Sequence, residues 1–187
     1  MMRYFATFTS GCQEIIASRL QNFSNNQLKT EELHDGLVIF SSDLTVNQLS
    51  ELRFFTNIFG LIKDCGEQKS LEDAAGIIKT SDINCRDFKA FATYLRQGSQ
   101  PASSAALGNL QNVIAAATGA QPTSFRPDLE FLLWLRDDKR ALFGWRLPLA
   151  GFKKRSLEAG ELRPEVAHIM GLVAALSSKH VVLDPFA

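Results

Sequence analysis

The chain has 187 residues, 45% of them hydrophobic and 21% charged, with 20 basic side chains balanced by 20 acidic ones. That composition excludes collagen-like, disordered and coiled-coil classes. The length suits one large domain or two small ones, and a chain of this size buries roughly 70% of its unfolded surface, enough to need no metal or disulfide staple.

The N-terminus passes directly into alternating apolar and polar residues, without the apolar core of a signal peptide. No apolar run approaches the ~20 residues needed to span a bilayer. The longest candidate, Ile169–Leu176, contains a glycine. The expected location is the cytoplasm, with no membrane partner.

Arg3–Thr9 alternates like a strand. Ser10-Gly11-Cys12-Gln13 reads as a capping box, with Ser10 as N-cap and Gln13 at N3. The helix that follows puts Cys12, Ile15, Ile16 and Leu20 on one face. Leu28–Leu33 and Leu37–Ser41 are strand-like and joined through His34-Asp35-Gly36, where glycine permits a positive φ. Thr45 caps a second helix through Leu52, and Asn57–Lys63 closes the unit as a strand. The order β-α-β-β-α-β is that of a ferredoxin-like split βαβ domain.

Residues 66–85 carry turn and polar signals and read as a linker containing a short helix. A second α/β unit follows. Phe88–Leu95 is strand-like, and Ser103 or Ser104 caps a helix to Thr118, with Leu107, Leu110, Ile114 and Ala117 on one face and Gly119 beyond its end. Leu129–Leu135 and Arg140–Leu147 form a hairpin around Asp137-Asp138. The first of them is apolar on both faces, as a buried central strand is. Pro164 then opens a helix with an apolar stripe of Val166, Ile169, Met170, Val173 and Leu176. Val181-Val182-Leu183 is an apolar strand running into Asp184-Pro185-Phe186-Ala187. A lone strand of this kind needs neighbours on both sides, so the chain reads as a piece of a longer protein.

Chemistry-bearing clusters are few. The three cysteines, Cys12, Cys65 and Cys85, form no C-x-x-C pair and read as free thiols, and no metal is expected. The charge is asymmetric along the chain. Residues 1–85 hold 7 basic against 11 acidic side chains, and residues 86–187 hold 13 against 9. The basic excess centres on Arg136, Lys139, Arg140, Arg146, Lys153, Lys154, Arg155 and Arg163, next to Trp145 and Phe152. This segment reads either as a solvated basic loop or as a phosphate-backbone contact.

Three local patterns resemble the THUMP-domain RNA methyltransferases of the class I, S-adenosylmethionine-dependent type. Phe125-Arg126-Pro127-Asp128-Leu129-Glu130, followed by the apolar strand and Leu142-Phe143-Gly144-Trp145-Arg146, is similar to the hairpin that ends THUMP. Gly151-Phe152-Lys153-Lys154-Arg155 resembles the basic segment leaving it. Leu162-Arg163-Pro164-Glu165-Val166-Ala167 followed by Val181–Ala187 resembles the opening of the methyltransferase domain.

The resemblance implies an α+β chain: a ferredoxin-like N-terminal domain (residues 1–66), a THUMP RNA-binding domain (67–150), and a linker with the first helix and strand of a truncated Rossmann-like methyltransferase domain (151–187). It implies RNA contacts from Arg126, Arg146, Phe152, Lys153, Lys154 and Arg155. An incomplete S-adenosylmethionine site would comprise Arg163, Pro164, Asp184, Pro185 and Phe186. An acid at the end of a first parallel strand is where doubly wound sheets bind nucleotides. The glycine-rich loop and the N/D-P-P-Y/F motif of the family do not occur in this sequence, so the fragment is expected to be non-catalytic. It would be the RNA-capturing part of an enzyme making N2-methylguanosine, its partner a tRNA acceptor stem with its single-stranded 3′ end, or ribosomal RNA. Other THUMP-containing tRNA-modifying systems, such as thiouridine synthetases, pseudouridine-forming proteins and acetylation adaptors, and a protein-interaction module are the alternatives.

Overall fold

The computed structural model describes residues 1–23, 27–84, 88–98, 104–148, 161–174, 179 and 181. Mixed α/β structure is built on eight strands: β1 (Met2–Thr7), β2 (Leu28–His34), β3 (Leu37–Ser42), β4 (Asn57–Glu67), β5 (Ala90–Gln97), β6 (Gln121–Pro122), β7 (Leu129–Leu135) and β8 (Arg140–Arg146). Their order in the sheet is β2-β3-β1-β4-β8-β7-β5-β6. The helices are α1 (Gln13–Phe23), α2 (Val46–Ser50), α3 (Leu71–Gly76), α4 (Ser104–Thr118) and α5 (Pro164–Val173), with a 3-10 turn at Thr80–Asp82. The chain divides into two compact units. One comprises Met1–Met2, Ala6–Ile58 and Pro148–Ala187, the other Arg3–Phe5 and Phe59–Leu147.

β1, α1, β2, β3 and α2 form close to where the sequence places them, but the start of α1 differs, and the expected strand Val181–Leu183 lies, but for Val181, outside the described residues. The helix begins at Gln13 rather than after a Ser10 cap. The Gly11 N–H donates to Asp35 Oδ1 at 2.7 Å, and the Gln13 amide reaches forward to the Leu33 carbonyl instead of back to Ser10. The β2–β3 turn, not a local box, therefore satisfies the helix entry. Thr45 does cap α2: the Gln48 N–H donates to Thr45 Oγ1, and the Thr45 N–H donates to Gln48 Oε1. Ile16, Leu20, Phe40, Leu49 and Phe55 are fully buried or nearly so. On α5 only Glu165 and Ile169 are buried, while Met170 and Val173 of the expected apolar stripe are exposed.

In the second unit, Phe91, Phe131, Leu133, Leu135, Ala141 and Phe143 form one face of the sheet and pack with α3 and α4 in a single core. The stretch expected to be a linker is part of that core, because Leu71, Ala74 and Ala75 of α3 are buried in it. The buried stripe of α4 is Ala106, Leu110 and Ile114, spaced four residues apart. Ser103 lies outside the described residues. Gly119 ends the helix at φ +72°, its N–H donating to the Ala115 carbonyl.

The β7–β8 turn places Lys139 at φ +65°, and Asp138 Oδ1 accepts the Arg140 N–H at 3.1 Å. β4 pairs with β8 antiparallel, with register shifts between Leu61 and Lys63 and again between Asp64 and Gly66. Each shift is a bulge with one extra residue, Ile62 and Cys65 respectively.

Candidate nucleic-acid interface

Strand alternation assigns side chains on β7 and β8 to opposite faces. Trp145 falls on the helix-covered face and packs against the core. It leans over Gly60, where an added Cβ would lie 2.5 Å from the indole Nε1. Trp145 is thus a packing residue of that face. Arg146 falls on the other face. Its Nη1 lies 2.7 Å from Glu130 Oε2 on β7, its Cζ lies 5.6 Å from the centroid of the Phe59 ring, and its side chain is 30% exposed. Glu130 thus offsets much of the charge of Arg146.

Arg126 sits in the loop before β7. Because β7 and β8 run antiparallel with Phe131 opposite Trp145, the start of β7 adjoins the end of β8. Arg126 and Arg146 consequently occupy the same end of the hairpin, the end from which the chain leaves toward residues 149–160.

The loop carrying Arg126 is tightly specified. Thr123 Oγ1 accepts the Phe125 N–H at 3.1 Å, and Arg126 adopts a left-handed backbone at φ +47°. Such a φ is uncommon for a residue with a Cβ. The Asp128 carboxylate accepts the N–H groups of Lys89 and Ala90, both at 3.0 Å. Those two bonds hold its carboxyl below the usual carboxylate range. The loop presents the Phe125 ring, 74% exposed, with the Arg126 guanidinium 5.2 Å from its centroid. In the sequence Phe125 stands out only as the first residue of the Phe125–Glu130 motif. The usable signal was an aromatic residue placed in a loop, outside any apolar alternation.

A second basic cluster lies at the far ends of β5 and β7. Arg96 and Arg136 lie over the Trp134 ring at 4.9 and 5.2 Å. Arg136 Nε also pairs with Asp138 at 3.1 Å, so this cluster is internally neutralised in part.

Of the residues expected near a methyl donor, Arg163 is the N-cap residue of α5 and Pro164 its first residue, and Arg163 Nη1 lies 3.6 Å from Glu165 Oε1. The two shape a helix start. Phe152, Lys153, Lys154, Arg155, Asp184, Pro185 and Phe186 lie outside the described residues. No group of His, Cys, Asp and Glu among the described residues is arranged to hold a metal ion. Nor is any helix among them long and apolar enough to cross a membrane.

No family model matches the sequence, and no curated protein matches it. Solved structures do. TrmN from Thermus thermophilus superposes with a TM-score of 0.71 at 18% identity, over 94% of this chain and 55% of that one. The fold is shared with TrmN. The chain spans little more than half of TrmN's length. A possible methylase from Clostridium difficile 630 matches with a TM-score of 0.62 at 11% identity, over 95% of this chain and 49% of that one. A 4-thiouridine synthetase, solved as an RNA complex with bound ATP, matches with a TM-score of 0.50 at 12% identity, over 79% of this chain and 42% of that one.

Proposed function

We propose that this chain is the RNA-capturing portion of an S-adenosylmethionine-dependent RNA methyltransferase that makes N2-methylguanosine in tRNA or ribosomal RNA. The observation that carries the reading is the likeness to TrmN along nearly the whole chain, which spans only part of that protein. In this reading residues 1–66 are the ferredoxin-like domain, 67–150 the THUMP domain, and 151–187 the linker and the opening of a methyltransferase domain. Its location is cytoplasmic.

The residues in hand are suited to holding RNA rather than to methyl transfer. Arg126 and Arg146 supply cationic groups at the end of the β7–β8 hairpin, and the sequence continues from there into Phe152, Lys153, Lys154 and Arg155. S-adenosylmethionine, when bound to the full-length protein, would supply the methyl group. Arg163 and Pro164 shape the start of α5 and are assigned no chemical step. A THUMP adaptor for another RNA-modifying chemistry is the second reading, favoured by the likeness to the synthetase complexed with RNA.

The test is fluorescence anisotropy with an acceptor-stem hairpin, with and without its single-stranded 3′ end, at two salt concentrations. Each phosphate contact contributes roughly −0.7 to −0.9 to the slope of log K against log salt. Replacing Lys153, Lys154 and Arg155 together by Ala should flatten that slope by about two units or more. Absence of any salt-dependent binding at low salt would sink the proposal.

A further inference from the structure

We propose that Phe125 is the platform on which this protein stacks an unpaired base of its RNA, with the Arg126 guanidinium beside it for the adjoining phosphate. The inference rests on the RNA-binding reading above and adds to it a residue that tells single-stranded from paired nucleotides.

An apolar ring that serves only packing is buried. Phe125 is 74% exposed, whereas the nearby phenylalanines Phe91 and Phe131 are fully buried. The ring is nevertheless not loosely displayed. The Phe125 N–H is bonded to Thr123 Oγ1, and Thr123 in turn is anchored through its own N–H to the Phe91 carbonyl at 2.7 Å. On the other side Pro127 restricts the backbone, and Asp128 is tied to the start of β5. The loop is thus fixed at both ends to one strand. Between those anchors Arg126 adopts a left-handed φ of +47°. Strain of that kind persists where the surroundings over-determine it, and it clusters at binding sites.

The chemistry beside the ring favours a nucleic acid. Arg126 lies over Phe125 at 5.2 Å. A guanidinium stacked on an aromatic ring keeps its in-plane N–H groups available for phosphate oxygens. An exposed aromatic face next to such a cation is how sequence-tolerant single-strand binders hold a base. A base still in a duplex offers no free face to the ring, so the preference is for an overhang, loop or bulge.

The test uses the full chain and two RNA hairpins that differ only in a single-stranded 3′ end. Phe125→Ala and Phe125→Leu should each weaken binding of the overhang RNA by about 5- to 100-fold, from the usual contribution of one base–aromatic stack. Both should leave blunt-hairpin binding within about twofold. Phe125→Trp should restore overhang binding, and overhang RNA should quench the new indole relative to a Phe125→Trp sample given blunt RNA. Because the side chain is exposed, thermal melts of the variants should match the parent. Equal losses for both hairpins, or no loss for either, would overturn the stacking role while leaving the RNA reading intact. Failure of the unaltered protein to bind either hairpin would overturn both.

Discussion

Asp128 and Ala90 hold each other twice: the Asp128 carboxylate accepts the Ala90 N–H at 3.0 Å, and the Asp128 N–H donates to the Ala90 carbonyl at 2.9 Å. The pair, with the further bond from the Lys89 N–H, joins the start of β5 to the start of β7 and sets the exit of the loop bearing Phe125 and Arg126. The carboxyl is held below its ordinary range by those backbone donors. A group depressed in the folded state contributes stability above its unfolded pKa, and that contribution is lost as pH falls through the folded value. Asp128→Asn should therefore unfold at lower denaturant than the parent at pH 7, with the gap closing on acidification below about 4. A gap that stays constant with pH would assign the effect to shape rather than charge.

Gly144 has no room for a side chain. A Cβ there would lie 2.5 Å from the Gly60 carbonyl oxygen and 2.6 Å from the Phe5 ring. Gly144→Ala should destabilise by about 1–3 kcal/mol, the usual scale of overpacking. Urea unfolding measures it, and an unchanged midpoint would mean that β4 and β8 separate more easily than their pairing indicates.

Burial pushes the Cys65 thiol up to about 11, against the lowering effect of Lys63 and with Asp64 and Asp82 adding to the rise. At pH 8 about one molecule in a thousand then carries the reactive thiolate at this position. Iodoacetamide at pH 8 should label the half-buried Cys12 well before the buried Cys65, read by peptide mass spectrometry. Labelling of Cys65 at an equal rate would indicate opening of the core on the labelling timescale.

His168 on α5 stacks on Phe54 at 6.3 Å, and burial, then Arg53 and Arg19, hold its pKa below the ordinary value of 6.5. Protonation is therefore disfavoured in the folded chain. Stability from this site is complete above about pH 6.5 and declines as pH falls through the folded pKa. NMR titration of the imidazole should show a midpoint below 6.5, and His168→Gln should remove the corresponding slope from the stability profile.

Glu130 holds the Arg146 guanidinium, so under the proposed function it would compete with RNA for that cation. Glu130→Gln should tighten RNA binding at low salt and steepen the salt slope by up to about 0.9. The same substitution combined with Arg146→Ala should show no such gain. A gain that survives the loss of Arg146 would place the benefit in long-range charge instead of this pair.

How far the sequence was readable depends on local regularity. β7 is a continuous apolar run broken only by Glu130, and its bounds, Leu129 and Leu135, follow directly from that run. β4 was read only to Lys63 because Ile62 and Cys65 interrupt the alternation, hiding the part of the strand that reaches Glu67. β6 has two residues, too few for any period to register. α3 buries Leu71, Ala74 and Ala75, one leucine and two alanines around Glu72 and Asp73 in a six-residue helix, so its membership of the core is a tertiary fact. At the candidate interface, Arg126 and Arg146 were visible as cations, but the carboxylate that occupies Arg146 comes from the neighbouring strand and no spacing along the chain announces it. For Phe125 the position of an aromatic residue in a loop is legible along the chain, but the anchors that fix that loop to β5 are not, because they join residues far apart in sequence.

The paired bulges of β4 constrain how this strand can change length. Ahead of them Leu61 faces Gly144, and beyond them Gly66 faces Ala141. The two single-residue slips add up to one full pleat repeat, so the strand leaves the bulged stretch in the same phase in which it entered. Removing Ile62 or Cys65 would take out only that bulge's extra residue and leave its neighbours opposite the partners they already have, at the cost of the local twist. Removing both would leave an unbroken ladder with β8. A one-residue deletion elsewhere in the strand has no such slack: it shifts the pairing by one and turns side chains to the wrong face.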